Sequence, residues 1–445
     1  MPAKTVDADV LIIGAGPVGL FTALRLGQAG VSVKVFEKSD SLSEAPRACM
    51  LYPQVQFALD AADVYRDIIE KGGGFRSTGL DIRLPPVSVA GEGSSKKPGQ
   101  LVTSFPKEDA DKFDPRGPPR APMDGKPAIS MLNIPQSQMC KVLMDKAVAT
   151  GNVDVSFGRE LVSIEEDGSG GNDVHVRIRV REVSSDSEST YSASFLVGAD
   201  GGRSKARSLL GIPFQGHTWP ERLVATDVWL PNGEGGPITT TLIMDPVHYT
   251  VLSPLTPPKL GEVSKWRVTF ALNPADLTNQ SEEAFLADEY ISQHYDRVWV
   301  GARPVSYKID RRATYTVHQR LAANFRKGRC LLVGDAAHIN NVIGGLGLSN
   351  CLLDVVALSE ALIMTMREGK PVDPLLTMYS DERRQVFQFF VDPVSTWSKL
   401  RIQSGNLDDW FFRCLADTSS ESFKRYIDTL EHFWPTHIRE MAQAL

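Results

Sequence analysis

The glycines near the N-terminus are the residues with the clearest chemical potential. They form the pattern Gly14-Ala15-Gly16-Pro17-Val18-Gly19 after one apolar stretch, and Glu37 ends the next. In such a turn the first glycine allows a tight bend, the second lets the backbone approach a pyrophosphate, and the third lets a helix pack closely on a strand. The helix N-terminus attracts phosphate, and a carboxylate at Glu37 can accept hydrogen bonds from ribose hydroxyls. The pattern predicts a dinucleotide site. An ordinary structural turn can look the same, and Glu37-Lys38 does not separate NAD from FAD.

Two glycine–aspartate pairs follow other apolar stretches. Gly198-Ala199-Asp200-Gly201 comes after residues 195–197, and Gly334-Asp335 comes after residues 330–333. Aspartates at strand ends in an α/β sheet lie where ligands bind, although each pair alone is as typical of a plain turn. The later glycines of Gly344-Gly345-Leu346-Gly347, just before Leu348, can open another helix N-terminus.

Strands and helices must bring these motifs together. Residues 9–13 and 31–37 read as buried strands around a helix at 20–28, a βαβ unit that predicts a parallel sheet covered by helices. Further strands are predicted at 161–165, 174–183, 191–197 and 329–333, with exposed hairpin tips at 167–173 and 184–189. Alternating residues predict a second, antiparallel sheet at 223–230, 239–244, 249–255 and 266–272, with a helix near 282–294. Residues 352–367 and the tail from 381 read as helices, and residues 85–127 as a loop or excursion.

Composition excludes several classes of protein. The chain has 445 residues, of which 42% are hydrophobic and 23% charged, so it is neither collagen-like nor mainly disordered. A net charge of −6 argues against a nucleic-acid partner. The five cysteines lack the short spacing of a zinc site or dithiol, so we expect no metal and a reducing, cytoplasmic location. Short apolar runs such as 10–13 and 331–333 predict no membrane partner.

The three motifs, in this order, resemble the para-hydroxybenzoate-hydroxylase type of FAD-dependent aromatic monooxygenase, known as class A. Two lesser matches support the resemblance. Arg47 matches a family arginine that lies near the FAD phosphates, and Gln136 matches a family glutamine that begins a helix along the ribityl chain. Residues implied to bind FAD are Gly14, Gly16, Pro17, Val18, Gly19, Glu37, Lys38, Arg47, Ala48, Gln136, Leu161, Asp200, Gly201, Asp335, Gly345, Gly347 and Leu348.

The resemblance implies an α/β fold with an α+β second lobe. A discontinuous Rossmann-like FAD-binding domain would take residues 1–80, 128–215 and 325–375. A substrate-binding domain with the antiparallel sheet would take 81–127 and 216–324, and C-terminal helices would take 376–445. The resemblance ends near residue 375, so it does not diagnose the tail, whose aromatic residues fit a core or a homodimer contact.

The chemistry implied by the family is hydroxylation of an aromatic, phenolic or similarly electron-rich small molecule. NADPH or NADH would reduce FAD, and dioxygen would form a flavin hydroperoxide that transfers one oxygen. Three departures from the family pattern mean that the substrate cannot be inferred from the resemblance. This chain has Asn340-Asn341-Val342 where the family has prolines, Leu346 where it has a glutamine and Ser349 where it has an asparagine. Epoxidation, Baeyer–Villiger insertion and oxidation without oxygen transfer stay as alternatives, as does a non-catalytic flavin-binding protein.

A phenolic substrate is more reactive as its anion, so the second lobe should hold a cation, a tyrosine or a proton relay that favours the anion. Arg222 and Tyr249 are the catalytic candidates, ahead of His217 and His248. We expect His338, inside the second glycine–aspartate motif, to support the turn and not to act as a base.

Overall fold

The computed structural model describes residues 6–45, 47–89, 95–105, 114–119, 130–167 and 175–444. The predicted hairpin tip at 167–173, apart from its first residue, lies outside the described residues, and so does much of the predicted excursion at 85–127.

The strands are numbered in chain order. They are β1 (Ala8–Ile13), β2 (Val33–Phe36), β3 (Met50–Leu51), β4 (Phe75–Thr78), β5 (Leu80–Arg83), β6 (Val87–Ser88), β7 (Lys96–Lys97), β8 (Leu101–Ser104), β9 (Ser130–Asn133), β10 (Val153–Ser156), β11 (Arg159–Asp167), β12 (His175–Glu182), β13 (Glu188–Gly198), β14 (Phe214–Pro231), β15 (Thr240–Ile243), β16 (Thr250–Pro254), β17 (Val263–Ala271), β18 (Lys308–Ala322), β19 (Arg326–Lys327), β20 (Cys330–Leu332) and β21 (His338–Ile339).

The helices are numbered in the same way. They are α1 (Pro17–Gln28), α2 (Pro53–Ala61), α3 (Tyr65–Glu70), α4 (Gln136–Ala149), α5 (Lys205–Leu209), α6 (Glu282–Phe285), α7 (Asp288–Val298), α8 (Leu346–Glu368), α9 (Val372–Val386), α10 (Asp392–Ser404), α11 (Trp410–Ala416), α12 (Glu421–Asp428) and α13 (Ile438–Met441). Short 3-10 turns occupy Asp276–Thr278, Gly334–Ala336 and Ala442–Ala444, and π-helical segments occupy Phe387–Val391 and Thr429–Phe433.

The first sheet carries the N-terminal motifs. Its parallel part has the order β10-β2-β1-β13-β20, and β12 and β11 extend it in antiparallel fashion beyond β13. Strand β1 is almost wholly apolar and buried, as expected for a central parallel strand covered on both faces. Helix α1 begins at Pro17, where the missing N–H costs nothing. The predicted parallel sheet of an α/β fold is confirmed.

The second sheet has the order β21-β18-β14-β17-β16-β15-β5-β8 and is antiparallel apart from the β15–β5 pair. One face, through Leu223, Leu242 and Ala271, shares the large hydrophobic core of the first sheet. The other face packs against α6 and α7 in a separate core that includes Val224 and Phe285. The predicted antiparallel sheet is confirmed. Of the two faces of this second sheet, only the one in the large core can bring a side chain towards the first sheet.

Helix α8 is a central helix of the large core. It begins after Gly345 and ends before Gly369, both with positive φ, and packs against α1, α2 and α9. With a mean hydropathy of 1.6 it is long and apolar enough to cross a membrane by composition, but 72% of its most apolar window is buried inside the protein. This helix is longer than the apolar runs on which the sequence expectation of no membrane partner rests. This burial is typical of a core helix.

Candidate functional site

The predicted motifs meet at the carboxyl ends of four adjacent parallel strands, β2, β1, β13 and β20. The Ala15 N–H donates to Glu37 Oε2 at 2.9 Å, which joins the first two strand ends. A Cβ added to Gly14 would lie 2.5 Å from the Ala199 carbonyl oxygen, and one on Gly334 would lie 2.9 Å from Val18 Cγ2. The distant sequence motifs therefore line one continuous edge, where ligands bind in open α/β sheets.

The N-terminus of α1 is built as an anion site. Gly14 has φ +105°, and a Cβ on Gly19 would overlap the Gly14 carbonyl oxygen, so both positions need glycine for packing. Gly16 differs from them because its added Cβ would meet no atom of the described residues within 4 Å. Among the residues that the structure describes, no side chain caps this helix end. Its first turn, which begins with Pro17 and Val18, contains no acid. The free N–H groups and the open space beside Gly16 fit a pyrophosphate.

Glu37 lies beside this turn. Its Oε2 accepts from the Ala15 N–H and its Oε1 accepts from the Ser39 N–H, each at 2.9 Å. A carboxylate has about four acceptor positions, so two backbone donors fix its orientation and leave capacity for ribose hydroxyls. The neighbouring Lys38 is exposed.

The side chain of Asp200 is already engaged within the protein. Its carboxylate accepts from Ser204 Oγ at 2.5 Å and from the N–H groups of Lys205 and Ala206 at 2.6 and 3.0 Å, so it holds the start of α5. Gly201 follows with φ +77°. The motif lies at the predicted edge, but its carboxylate does a structural task that sequence reasoning did not foresee.

Asp335 lies in the 3-10 turn that follows β20, next to Cys351 of α8. Its side chain is exposed to solvent, yet the protein atoms around the carboxyl group desolvate it and raise its pKa. The Cys351 thiol donates to its Oδ1 at 3.5 Å. Gly345 precedes α8 with φ +66°, and Gly347 and Leu348 lie in the first turn, whose N–H groups have no intrahelical partner. These groups suit the polyhydroxyl chain and the anionic end of a flavin.

The four other residues that the sequence predicts to contact the cofactor differ in how far they are exposed. Arg47 and Ala48 are exposed, and Arg47 is near enough to Asp335 to oppose the rise in the pKa of that carboxyl. Gln136 is half-buried at the first position of α4. Leu161 is a buried core residue of β11, at a bulge, and shows no polar function.

The family departures have structural uses. The Asn341 Oδ1 accepts from the Ile343 N–H at 3.0 Å, and the Asn341 amide also binds Gln319, so it shapes the turn before Gly344. Ser349 Oγ accepts from the Tyr52 N–H at 3.1 Å, and the Tyr52 hydroxyl donates to the Gly344 carbonyl oxygen at 2.7 Å. The turn is therefore held from both sides without the usual prolines.

The two catalytic candidates lie apart. Tyr249 is buried on the face towards the first sheet and donates to Glu221 Oε1 at 2.9 Å, while Lys399 of α10 pairs with the same oxygen at 2.5 Å. Burial, reinforced by Glu221, raises the pKa of Tyr249, which disfavours a role as base. Arg222 pairs with Glu282 of α6 at 2.9 Å on the opposite face. This position does not bring Arg222 to the substrate side, because strand neighbours point to opposite faces.

Sequence reasoning missed two charged residues on the face of the second sheet that is turned towards the first sheet. Asp227 of β14 and Arg267 of β17 are opposite each other in register, both more than 90% buried, and joined by two hydrogen bonds of 2.7 and 2.9 Å. Each is the one charged residue within a predicted strand, 223–230 or 266–272. That is the signal that could have found them, since such charges are rarely buried unless paired.

An apolar cavity adjoins the flavin-side turn. It is lined at one end by Tyr52 and Gly344. The rest of its wall is mainly apolar, from the second sheet and the tail helices, and includes Leu80, Ile82, Leu242, Phe411, Phe412 and Tyr426. Ligand pockets for small organic molecules are typically lined in this way.

His338 belongs to a buried network behind this edge. Its Nε2 lies 2.6 Å from Asp354 Oδ2, and Arg383 donates to Asp354 Oδ1 at 2.6 Å. His338, Asp354 and Cys351 form the one group of potential metal ligands among the described ranges. Burial disfavours the Asp354 carboxylate, but His338 and Arg383 together lower its pKa. Since both carboxylate oxygens already have protein partners, the network reads as structural support for the turn.

Comparison with known proteins agrees with this geometry. The family model described as "FAD binding domain" matches residues 7–393. The chain is 32% identical to para-nitrophenol 4-monooxygenase of Pseudomonas sp. strain WBC-3 over 88% of this chain and 86% of that protein. It is 28% identical to 6-hydroxy-3-succinoylpyridine 3-monooxygenase of Pseudomonas putida strain S16, over 86% of each.

Solved structures show the same architecture. p-Nitrophenol 4-monooxygenase from Pseudomonas putida DLL-E4 superposes with a TM-score of 0.71 at 28% identity, covering 98% of this chain and 97% of that one. Aklavinone-11 hydroxylase, solved with FAD and aklavinone, shares the fold with a TM-score of 0.72 at 24% identity, over 91% of this chain and 71% of its own. The sequence resemblance is thereby confirmed: the chain belongs to the FAD binding domain family and is an FAD-dependent monooxygenase of the class A, aromatic-hydroxylase type.

Proposed function

We propose that the protein hydroxylates a small phenolic or similarly electron-rich aromatic compound, with NADPH or NADH as electron donor and dioxygen as oxygen source. One observation carries the proposal. The carboxyl ends of four parallel strands form one edge of the first sheet, and the apolar cavity beside Gly344 adjoins that edge. Bound FAD supplies the redox chemistry and the activation of dioxygen, and the chain supplies binding, orientation and exclusion of water.

The ADP end of FAD is assigned to the first two strands. The N–H groups that open α1 bind the pyrophosphate beside Gly16, and the oriented carboxylate of Glu37 accepts from the ribose hydroxyls. Asp335 accepts from the ribityl hydroxyls. Its raised pKa reflects a desolvated carboxyl group that gains from hydrogen-bond donors.

The flavin end is assigned to the first turn of α8. The N–H groups of Gly347 and Leu348 stabilise negative charge that develops there, as preorganised donors do in an oxyanion hole. The Tyr52 hydroxyl fixes the Gly344 carbonyl, which keeps the turn in place. Phe411, Phe412 and Tyr426 from the tail cover the cavity and reduce the access of water.

The class of substrate follows from the cavity and from the relatives. An apolar, aromatic-lined cavity favours a planar ring over a sugar or an extended peptide. Para-nitrophenol 4-monooxygenase and 6-hydroxy-3-succinoylpyridine 3-monooxygenase are named for hydroxylated aromatic rings. The choice between NADPH and NADH, the cytoplasmic location, a homodimer and the limits of the domains stay predictions.

The test is turnover with labelled dioxygen. Purified holoenzyme is mixed with NADPH or NADH and a panel of phenols, and nicotinamide oxidation and the mass of the product are measured. We expect a phenol to accelerate nicotinamide oxidation and to gain one labelled oxygen atom. Accelerated oxidation with no label in any product would refute oxygen transfer and favour an oxidase or dehydrogenase.

A further inference from the structure

The turn of residues 340–344 joins β21 to α8 beside the place assigned to the flavin. Its last residue, Gly344, lines the apolar cavity. At its start, Asn340 Oδ1 lies 3.4 Å from the position of a Cβ added to Gly347, in the first turn of α8. The family has prolines in this turn, whereas this chain has two asparagines and a valine. Since proline fixes φ and asparagine does not, another contact must hold the turn.

The side chain of Gln319, on β18, makes that contact. Its Oε1 accepts from the Asn341 N–H at 3.0 Å and from Asn341 Nδ2 at 3.2 Å. Its Nε2 donates to Asp392 Oδ1 at 2.7 Å and to Ser395 Oγ at 3.0 Å, both on α10. A backbone N–H only donates and a carboxylate only accepts, so these partners fix the orientation of the amide. Gln319 is 4% exposed, and every hydrogen-bonding position of its amide is used.

Both ends of this link have a firm base. On the sheet side, a Cβ added to Gly216 of β14 would overlap the Gln319 carbonyl oxygen, so the two strands are in close contact there. On the helix side, Lys399 of α10 pairs at 2.5 Å with Glu221 of β14, and both side chains are buried. Helix α10 is thus fixed to the second sheet independently of Gln319. The amide connects this fixed helix to the turn.

We propose that Gln319 is a positioning residue, which passes the placement of α10 to Asn341 and so fixes the turn of residues 340–344 beside the flavin. Its hydrogen bonds do in this chain what the fixed φ of proline does in the family. The inference rests on the proposed function, and it makes the C-terminal helices, which the sequence resemblance does not cover, part of the site. A looser turn lets the N–H groups of Gly347 and Leu348 move, so they stabilise negative charge on reduced FAD less well.

The experiment measures the redox equilibrium of bound FAD, without substrate, oxygen or turnover. Holoenzyme and a reference dye are reduced slowly together, and the ratio of reduced to oxidised FAD is read at a fixed ratio of reduced to oxidised dye. The variant Gln319→Met keeps the length of the side chain and loses its four hydrogen bonds. We expect FAD affinity within about threefold of the unmodified value, because the ADP end is held at α1, and a reduced-to-oxidised ratio about fivefold lower.

A second variant is needed because Gln319→Met leaves a buried backbone N–H without an acceptor and can prevent folding. Asp392→Ala with Ser395→Ala cuts only the link to α10. Alanine suits a helix, and Lys399 still holds α10 to the second sheet. This alanine pair should lower the ratio about threefold. Gln385→Met, the same change at an exposed glutamine of α9, is the matched control and should leave the ratio unchanged.

A rescue separates placement of the turn from a general loosening of the fold. Adding Asn341→Pro to Gln319→Met removes the N–H that has lost its acceptor and fixes φ at this position. The ratio should return to within about twofold of the unmodified value.

Two results would overturn the inference. One is a ratio within about twofold of the unmodified value in either Gln319→Met or the alanine pair, and the alanine pair decides if Gln319→Met does not retain FAD. The other is a rescue variant whose ratio stays as low as that of Gln319→Met. These readings need no oxygen transfer, whereas the proposed function fails if the unmodified protein gives no labelled product, so the two failures are distinguishable.

Discussion

Gly16→Ala separates cofactor binding from folding in one substitution. Gly16 has φ −73° and ψ 178°, which alanine adopts freely, and within the described part of the chain its added Cβ would meet no atom within 4 Å. The free energy of unfolding of the apoprotein should therefore change by no more than about 1 kcal/mol, the cost of alanine at a helix N-cap. The methyl group would instead occupy the space assigned to the pyrophosphate.

The expected loss is in FAD affinity. Forcing a methyl group into a close contact costs about 1–3 kcal/mol, which corresponds to an increase of roughly fivefold to 140-fold in the FAD dissociation constant. The assay is titration of apoprotein with FAD, followed by flavin fluorescence, beside a urea unfolding curve. Gly233→Ala, another glycine with open space and no positive φ, is the control and should change neither quantity. A stable Gly16→Ala protein that binds FAD within threefold of the unmodified chain would refute the assignment.

Three further predictions concern carboxylates. Glu37→Gln should raise the FAD dissociation constant about tenfold in the same titration, because a charged acceptor is lost, and an unchanged constant would contradict the ribose assignment. Lys399→Met should lower the free energy of unfolding in urea by about 3–5 kcal/mol, because Glu221 stays buried without its cation; adding Glu221→Gln should restore most of it, and a loss below about 1 kcal/mol would refute the pairing. The raised pKa of Asp335 means that the folded apoprotein binds this proton more tightly than the unfolded chain, so ionisation costs stability as pH rises. Asp335→Asn apoprotein should thus be more stable than unmodified apoprotein at pH 8, by a margin that shrinks as the pH falls towards the usual value of 3.8; a margin independent of pH would contradict this.

The parts of the fold that the sequence predicts well are those set by local pattern. The turn from Gly14 to Gly19 sits between a buried strand and a helix, and parallel strands bring their carboxyl ends to one edge. Glu37 and Asp335 were therefore placed at one edge without any knowledge of the tertiary structure. The register of the second sheet could not be obtained in this way, because long-range pairing decides it.

The choice between Arg222 and Arg267 shows this limit. Both are arginines in strands of alternating pattern, and each directly precedes an apolar residue, Leu223 or Val268. Strand β14 has irregular pairing with β18 between Thr218 and Arg222, and only the assembled sheet shows that Arg222 faces α6 whereas Arg267 faces the first sheet. The contact of Lys399 with Glu221 joins residues far apart in sequence, so no local pattern predicts it.

The most direct measurement of the central claim is a crystal structure of the protein with FAD. The account predicts one extended FAD molecule along the carboxyl ends of β2, β1, β13 and β20, with its pyrophosphate at the N–H groups of α1, a ribose hydroxyl on Glu37 and its ribityl chain at Asp335. The flavin ring would lie between the first turn of α8 and the second sheet. FAD bound elsewhere, or with its pyrophosphate away from Gly16, would contradict the account.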